Sequence, residues 1–145
     1  MTVREQRMKV MAIGNRLSVS MNRHDAFVTA WQVIHAGGVT LPVKGTSFGN
    51  RPEALRRLAS YEPSQIKTFL CPEENNSADS NAIAVMVGVQ GGRGLYRLGY
   101  IPVHSTAVVR ALSCRSLNLK VVSGCWNYRG REWETFGARV TLGIY

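Results

Sequence analysis

Hydrophobic positions along the chain follow two regimes that change over at Gly37 and Gly38. Before that point the spacing is helical. Val3, Met8, Val10, Met11, Ile13, Leu17 and Val19 predict one imperfect helix over residues 3–20, interrupted at Gly14 and Asn15. Asn22 reads as the N-cap of a second helix, and Asp25, three residues on, can face the free amides of its first turn. Phe27, Ala30, Trp31 and Ile34 form its apolar stripe, and Gly37-Gly38 supplies the stop. Residues 1–37 are therefore expected to form a helical hairpin. It is too small to bury a core alone and is expected to pack on the remainder of the chain.

From residue 38 onward the period is mostly two. Val39, Leu41 and Val43 alternate with polar positions, and Pro42 suggests an edge strand. Pro52 suits the first turn of a short helix with Leu55, Leu58 and Ala59 inward and Arg56 and Arg57 outward. Residues 65–71 alternate as a second strand, and the unbroken apolar run 82–89 predicts a buried central one. The Gly91-Gly92-Arg93-Gly94 segment leads into a strand over 95–101. It lacks a GK[ST] ending and joins strand to strand, so it predicts a hairpin turn and not a phosphate loop. Pro102 opens another short helix carrying Val103, Ala107, Val108, Ala111 and Leu112. Leu117, Leu119 and Val121 begin a strand, residues 127–130 read as a tight turn, and Phe136, Ala138, Val140, Leu142 and Ile144 form the last strand. About six strands and two short helices give a mainly β (α+β) class. The expected architecture is a small, partly open β-barrel over residues 38–145, preceded by the helical hairpin.

Charge sharpens the picture. The 145-residue chain carries 18 Lys+Arg against 9 Asp+Glu, a formal net charge of +9. Fourteen of the 18 cations are Arg, whose planar fork matches phosphate and stacks on bases. No acid occurs from Ser80 to Arg131, while Glu73, Glu74 and Asp79 form an acidic loop before the central strand. A polyanion is the first partner these counts suggest. No apolar run approaches a membrane span, and the charged N-terminus argues against a secretory signal. Cys71, Cys114 and Cys125 are odd in number and lack a CxxC, which predicts reduced thiols in or near the core of a cytoplasmic protein. The pairs Glu73/Glu74 and Glu132/Glu134 show no partner base and no metal set, so neither catalytic residues, metal site nor cofactor is expected.

Three blocks carry a family resemblance. They are Val43-Lys44-Gly45-Thr46-Ser47-Phe48-Gly49-Asn50-Arg51, Asn76-Ser77-Ala78-Asp79-Ser80-Asn81-Ala82-Ile83-Ala84-Val85 and Leu98-Gly99-Tyr100-Ile101-Pro102. In order and interval they resemble the HIRAN domain, with its G-x-x-[FY], N-x-x-D-x-N-A-[IV]-x-V and G-[YH]-[ILV]-P elements. The likeness covers about residues 40–145 and leaves the hairpin outside. The hairpin is similar, more weakly, to short helices on mobile-element and phage proteins, through Asp25-Ala26 and Ala30-Trp31.

The resemblance implies an OB- or SH3-like barrel that binds single-stranded DNA at its free 3′ end, in repair, replication or mobile-element processing. By position it makes Phe48 a stacking residue and Asp79 the acceptor of the 3′-hydroxyl. Asn76 and Asn81 would brace the loop, Tyr100 would stand on the pocket wall, and Thr46 and Ser47 would lie beside Phe48. An ionised carboxylate accepts a hydroxyl and rejects an internal phosphate, so such an Asp can tell an end from a continuous strand. Departures from the pattern fall at Ser47, Gly49, Ala78 and Val103, where the family carries further aromatic or basic residues. Either Arg51, Trp126, Tyr128 and Arg129 substitute from neighbouring loops, or the fold is kept and the ligand has changed. RNA is the competing nucleic acid. A protein partner engaging Phe27, Trp31 and Ile34 on the hairpin is the alternative function.

Overall fold

The computed structural model describes residues 1–112, 114 and 116–144, with side chains omitted at 124–128 and 131–135. Helix α1 spans Val3–Leu17 and α2 spans Arg23–Ala36. Thr2 caps α1 by accepting the Glu5 amide at 3.1 Å, and Asn22 caps α2 by accepting the Asp25 amide at 2.9 Å. Gly37 ends α2 in the left-handed region at φ 76°, its amide donating to the Ile34 and Val33 carbonyls.

Gly14 does not interrupt α1. It lies buried inside the helix, against the Phe27 ring. A Cβ at Gly14 would fall 2.6 Å from that ring, so the glycine sets how closely the two helices approach. The buried face of α2 is Ala26, Ala30, Val33 and Ile34. Trp31, expected on the inner stripe, is 54% exposed and stacks on His35 at 3.8 Å. The face turned to the core carries two small alanines, Ala26 and Ala30, with Val33 and Ile34, and Trp31 falls outside it. Ile34, conversely, is fully buried and so is not part of an exposed hairpin face.

Six strands come after the hairpin: β1 Gly38–Pro42, β2 Ile66–Pro72, β3 Ile83–Val89, β4 Tyr96–Tyr100, β5 Ser116–Tyr128 and β6 Arg131–Gly143. They form two antiparallel three-stranded sheets, ordered β1-β6-β5 and β2-β3-β4. The chain just beyond β1 joins them. Val43 donates its amide to Ala138 of one sheet, and Lys44 exchanges two 2.8 Å backbone hydrogen bonds with Tyr100 of the other. The six strands expected are present, around one core, without closing into a complete barrel. Pro42 does sit on an edge strand, and the apolar run 83–89 is the central strand of its sheet. The last turn is tighter than 127–130: only Arg129 and Gly130 connect β5 to β6, with φ of 52° and 76°. Two consecutive positive φ angles match the twist of a two-residue hairpin.

The core between the sheets holds Val43, Ile83, Val85, Val87, Leu98, Val140 and Leu142. Helix α3, Arg51–Leu58, seals it with Leu55 and Leu58. Helix α4, Thr106–Ala111, comes after a 3-10 turn at Val103–Ser105. A second cluster joins the hairpin to the rest of the chain: Ile13, Leu17, Ala30 and Ile34 pack with Ala111, Leu112 and Ile144. The Arg16 guanidinium donates to the Ala111 carbonyl at 3.0 Å across that seam. Cys71 and Cys114 are exposed, where the sequence reading expects thiols in or near the core, and the side chain of Cys125 lies outside the described residues. Among the described residues no helix is long and apolar enough to cross a membrane.

Candidate nucleic-acid interface

The three sequence blocks converge on one side of the β2-β3-β4 sheet. In the first, Gly45 turns the chain at φ 78° and offers its carbonyl to the Arg51 guanidinium at 2.8 Å. That bond folds the loop back on the start of α3 and leaves Phe48 at its tip, 68% exposed. The aromatic ring is thus open to solvent on a short, tied loop. Thr46 is half-buried in the same loop, and Ser47 is exposed. The Arg51 guanidinium lies 6.0 Å from the Phe48 ring centre and 5.8 Å from that of Tyr100. Arg51 thus links the first block to the third.

In the third block Gly99 has a structural cause. A Cβ there would collide with the Lys44 carbonyl, the same group that holds the Tyr100 amide. Beside it the β3-β4 register slips: Val85 faces Gly99 while Met86 faces Arg97, so Leu98 is an extra residue on β4. A strand normally sends residues three apart to opposite faces. The bulge cancels that alternation and brings Arg97 and Tyr100 to one face, 5.7 Å from guanidinium to ring centre.

Both then reach Glu73. The Tyr100 hydroxyl donates to Glu73 Oε1 at 2.8 Å, and Arg97 forms an ion pair with Glu73 Oε2. Asn76 adds its amide NH₂ to Oε1 at 3.2 Å. The Glu73 carboxyl is held below its ordinary value, first by the Tyr100 hydrogen bond, with Asn76 and Arg97 adding to it against the cost of burial. Tyr100 is pushed up, by burial first and then by its bond to Glu73. The sequence pattern leaves Glu73 as a carboxylate without partners. In the fold it is the hub that ties the acidic loop to β4. Its two partners on β4 stand 24 and 27 residues away, where no local pattern could point to them.

The second block is a pair of side-chain-braced turns. Asn76 Oδ1 accepts the amides of Ala78 and Asp79 at 2.9 and 3.1 Å. Asp79 Oδ1 accepts the Asn81 amide at 2.9 Å. Asn81 contributes through its backbone: its carbonyl accepts Arg110 at 3.1 Å. Asp79 is half-buried, and its Oδ2 has no hydrogen-bond partner among the described residues.

Two clefts meet at Arg97. One, of about 700 Å³, runs between α3 and the edge strand β4, lined by Phe48, Arg51, Arg57, Tyr96 and Arg97 with Glu53. The other lies under the acidic loop along residues 72–76. Burial pushes the Tyr96 hydroxyl up, opposed by the nearby Arg57. Neither Tyr96 nor Arg57 stood out in the sequence. One belonged to a hairpin strand and the other to an outward helix face.

Arg51 therefore stands between two rings, those of Phe48 and Tyr100. Asn76, Asp79 and Asn81 share one loop joined to them through Glu73. Arg129 occupies the β5-β6 turn and is exposed, in the other sheet. The side chains of Trp126 and Tyr128 lie outside the described residues. Among the described residues no group of three or more His, Cys, Asp or Glu is placed to hold a metal ion.

No curated protein and no solved structure matches the chain. The model of one family does, over residues 39–144, from the first residues of β1 to the end of the last strand and beginning just after the hairpin. With its three motif blocks gathered at one face, the chain belongs to the HIRAN domain family, in general a DNA-binding domain.

Proposed function

We propose that this face binds single-stranded DNA at its free 3′ end, as a recognition module without catalytic turnover. The observation that carries the reading is the continuous run Phe48–Arg51–Tyr100–Glu73–Asn76, which connects an exposed stacking surface to the loop of Asp79. A terminal base on Phe48 would gain the sequence-independent energy of base–aromatic stacking, about 1–3 kcal/mol. Arg51 would serve the adjoining phosphate. Asp79 keeps Oδ1 for its own loop, so Oδ2 would accept the terminal hydroxyl, while its charge repels a terminal phosphate. The basic surroundings, within a chain of +9, would draw the strand in.

The test is fluorescence anisotropy with equal oligonucleotides ending in a 3′-hydroxyl or a 3′-phosphate. Wild type should prefer the hydroxyl by roughly 10- to 150-fold, the worth of a hydrogen bond to a charged group (about 1.5–3 kcal/mol). Asp79→Asn keeps an oxygen for the Asn81 amide, so the loop stays braced while the charge is lost. That variant should bind both ends alike. Equal binding of the two ends by wild type, or persistent discrimination by Asp79→Asn, contradicts end recognition. Labelled DNA that shortens during the assay would contradict the absence of turnover.

A further inference from the structure

We propose that Tyr96 and Arg57 form a second nucleotide subsite, which receives the base and phosphate next to the terminal nucleotide and leads the strand along α3. This rests on the reading that Phe48 and Asp79 hold the terminal nucleotide. The residues are those that the family-like motifs leave unused. Tyr96 lies two residues before the L-G-Y-I-P block and Arg57 on α3, between the first two blocks.

The cleft between α3 and β4 has the chemistry of a nucleotide site. Its volume of about 700 Å³ falls within the range of small-ligand pockets, about 300–1,000 Å³. It combines two aromatic side chains, Phe48 and Tyr96, with three guanidiniums, those of Arg51, Arg57 and Arg97. Its one acid, Glu53, is turned toward Arg56 at 3.7 Å. Arg97 is neutralised by Glu73 and Arg51 is tied to Gly45, whereas the Arg57 guanidinium makes no hydrogen bond to a described residue. A planar, anionic ligand suits this set: rings for a base, a guanidinium fork for a phosphate. An unpaired strand offers its base faces to an aromatic wall along its length, whereas the interior bases of a duplex are stacked on one another.

Tyr96 gives the cleft a second ring, carried by a different element from Phe48. The bulge at Leu98 matters here too, since it lets Arg97 join Tyr100 while Tyr96 lines the α3 side.

The experiment uses the full chain and thymidine oligonucleotides of increasing length, each ending in a 3′-hydroxyl. Tyr96→Ala should weaken the hexanucleotide roughly five- to 150-fold, the loss of one stacked base, and leave a mononucleotide unaffected. Tyr96→Phe should retain wild-type affinity, which separates stacking from folding. Arg57→Gln should lower affinity for the hexanucleotide and flatten its salt dependence. In all three variants the preference for a 3′-hydroxyl over a 3′-phosphate should persist. If Tyr96→Ala binds the hexanucleotide as tightly as wild type while still distinguishing the ends, the second subsite is wrong and the end reading stands. If wild type binds but does not distinguish the ends, the end reading fails, and the assignment made from it fails with it.

Discussion

Tyr100 shows how one side chain sets the shape of the candidate interface. Its hydroxyl is the first cause of the lowered Glu73 pKa, and Glu73 in turn holds Arg97 and Asn76. Tyr100→Phe should cost about 0.5–1.5 kcal/mol at neutral pH, the worth of one partly solvated hydrogen bond. A carboxyl whose folded pKa is depressed contributes stability that is present above its unfolded value. That contribution is lost as pH falls through the folded value. The wild-type advantage over Tyr100→Phe should therefore hold at neutral pH. It should shrink below the ordinary carboxylate value of 4.5. Urea denaturation of both proteins down through that pH measures it, and an advantage that grows in acid would show that Glu73 is not the cause. On the alkaline side the sign reverses: Tyr100, raised above 10.0, contributes stability below that value and loses it as pH climbs through the folded one.

At the level of elements, most strands and both hairpin helices arise from pattern and end signals, because caps, turns and alternation act over a few residues. Asn22, Gly37 and the alternating last strand behave as their local chemistry requires. The misplacements have a common origin. Trp31 lies at an apolar position yet faces outward, because α2 turns Ala26, Ala30, Val33 and Ile34 to the core and leaves the Trp31 side to solvent. Arg97 and Tyr100 share a face only through the bulge at Leu98, which no period-two reading anticipates. Gly99 is required by the Lys44 carbonyl, far earlier in the chain. Gly99→Ala should therefore destabilise the protein by about 1–3 kcal/mol or more, since the opposing atom is backbone and cannot swing away. Gly137→Ala is the control: nothing described lies within 4 Å of its added Cβ. Thermal unfolding of the two variants should separate them clearly, and equal melting temperatures would show that the Lys44–Tyr100 crossing tolerates a methyl group.

For the whole molecule, the hairpin is the part whose contribution is easiest to isolate. It covers Ala111, Leu112 and Ile144, and burial of a Leu- or Ile-sized side chain is worth about 1.5–3 kcal/mol. Removing residues 1–37 should lower stability by about 3–6 kcal/mol, as an upper estimate, and leave the strand signal in circular dichroism intact. An unchanged melting temperature would make the hairpin an independent appendage. Charge also acts at this scale. If about 3–5 phosphates are contacted, log K for single-stranded DNA should fall against log salt with a slope near −2 to −3.5. A flat response would contradict phosphate-led binding.

Read alone, the residues were enough for the elements, the edge position of Pro42, the family and the braced Asn/Asp loop. Each depends on neighbours in the chain or on a motif of fixed spacing. The partnership of Glu73 with Tyr100 and Arg97 was not legible, nor was the cleft that joins Arg57 and Tyr96 to Phe48. Those arise when α3, β4 and two loops distant in sequence are pressed together around a shared core. A bulge and a glycine contact then decide which side chains meet.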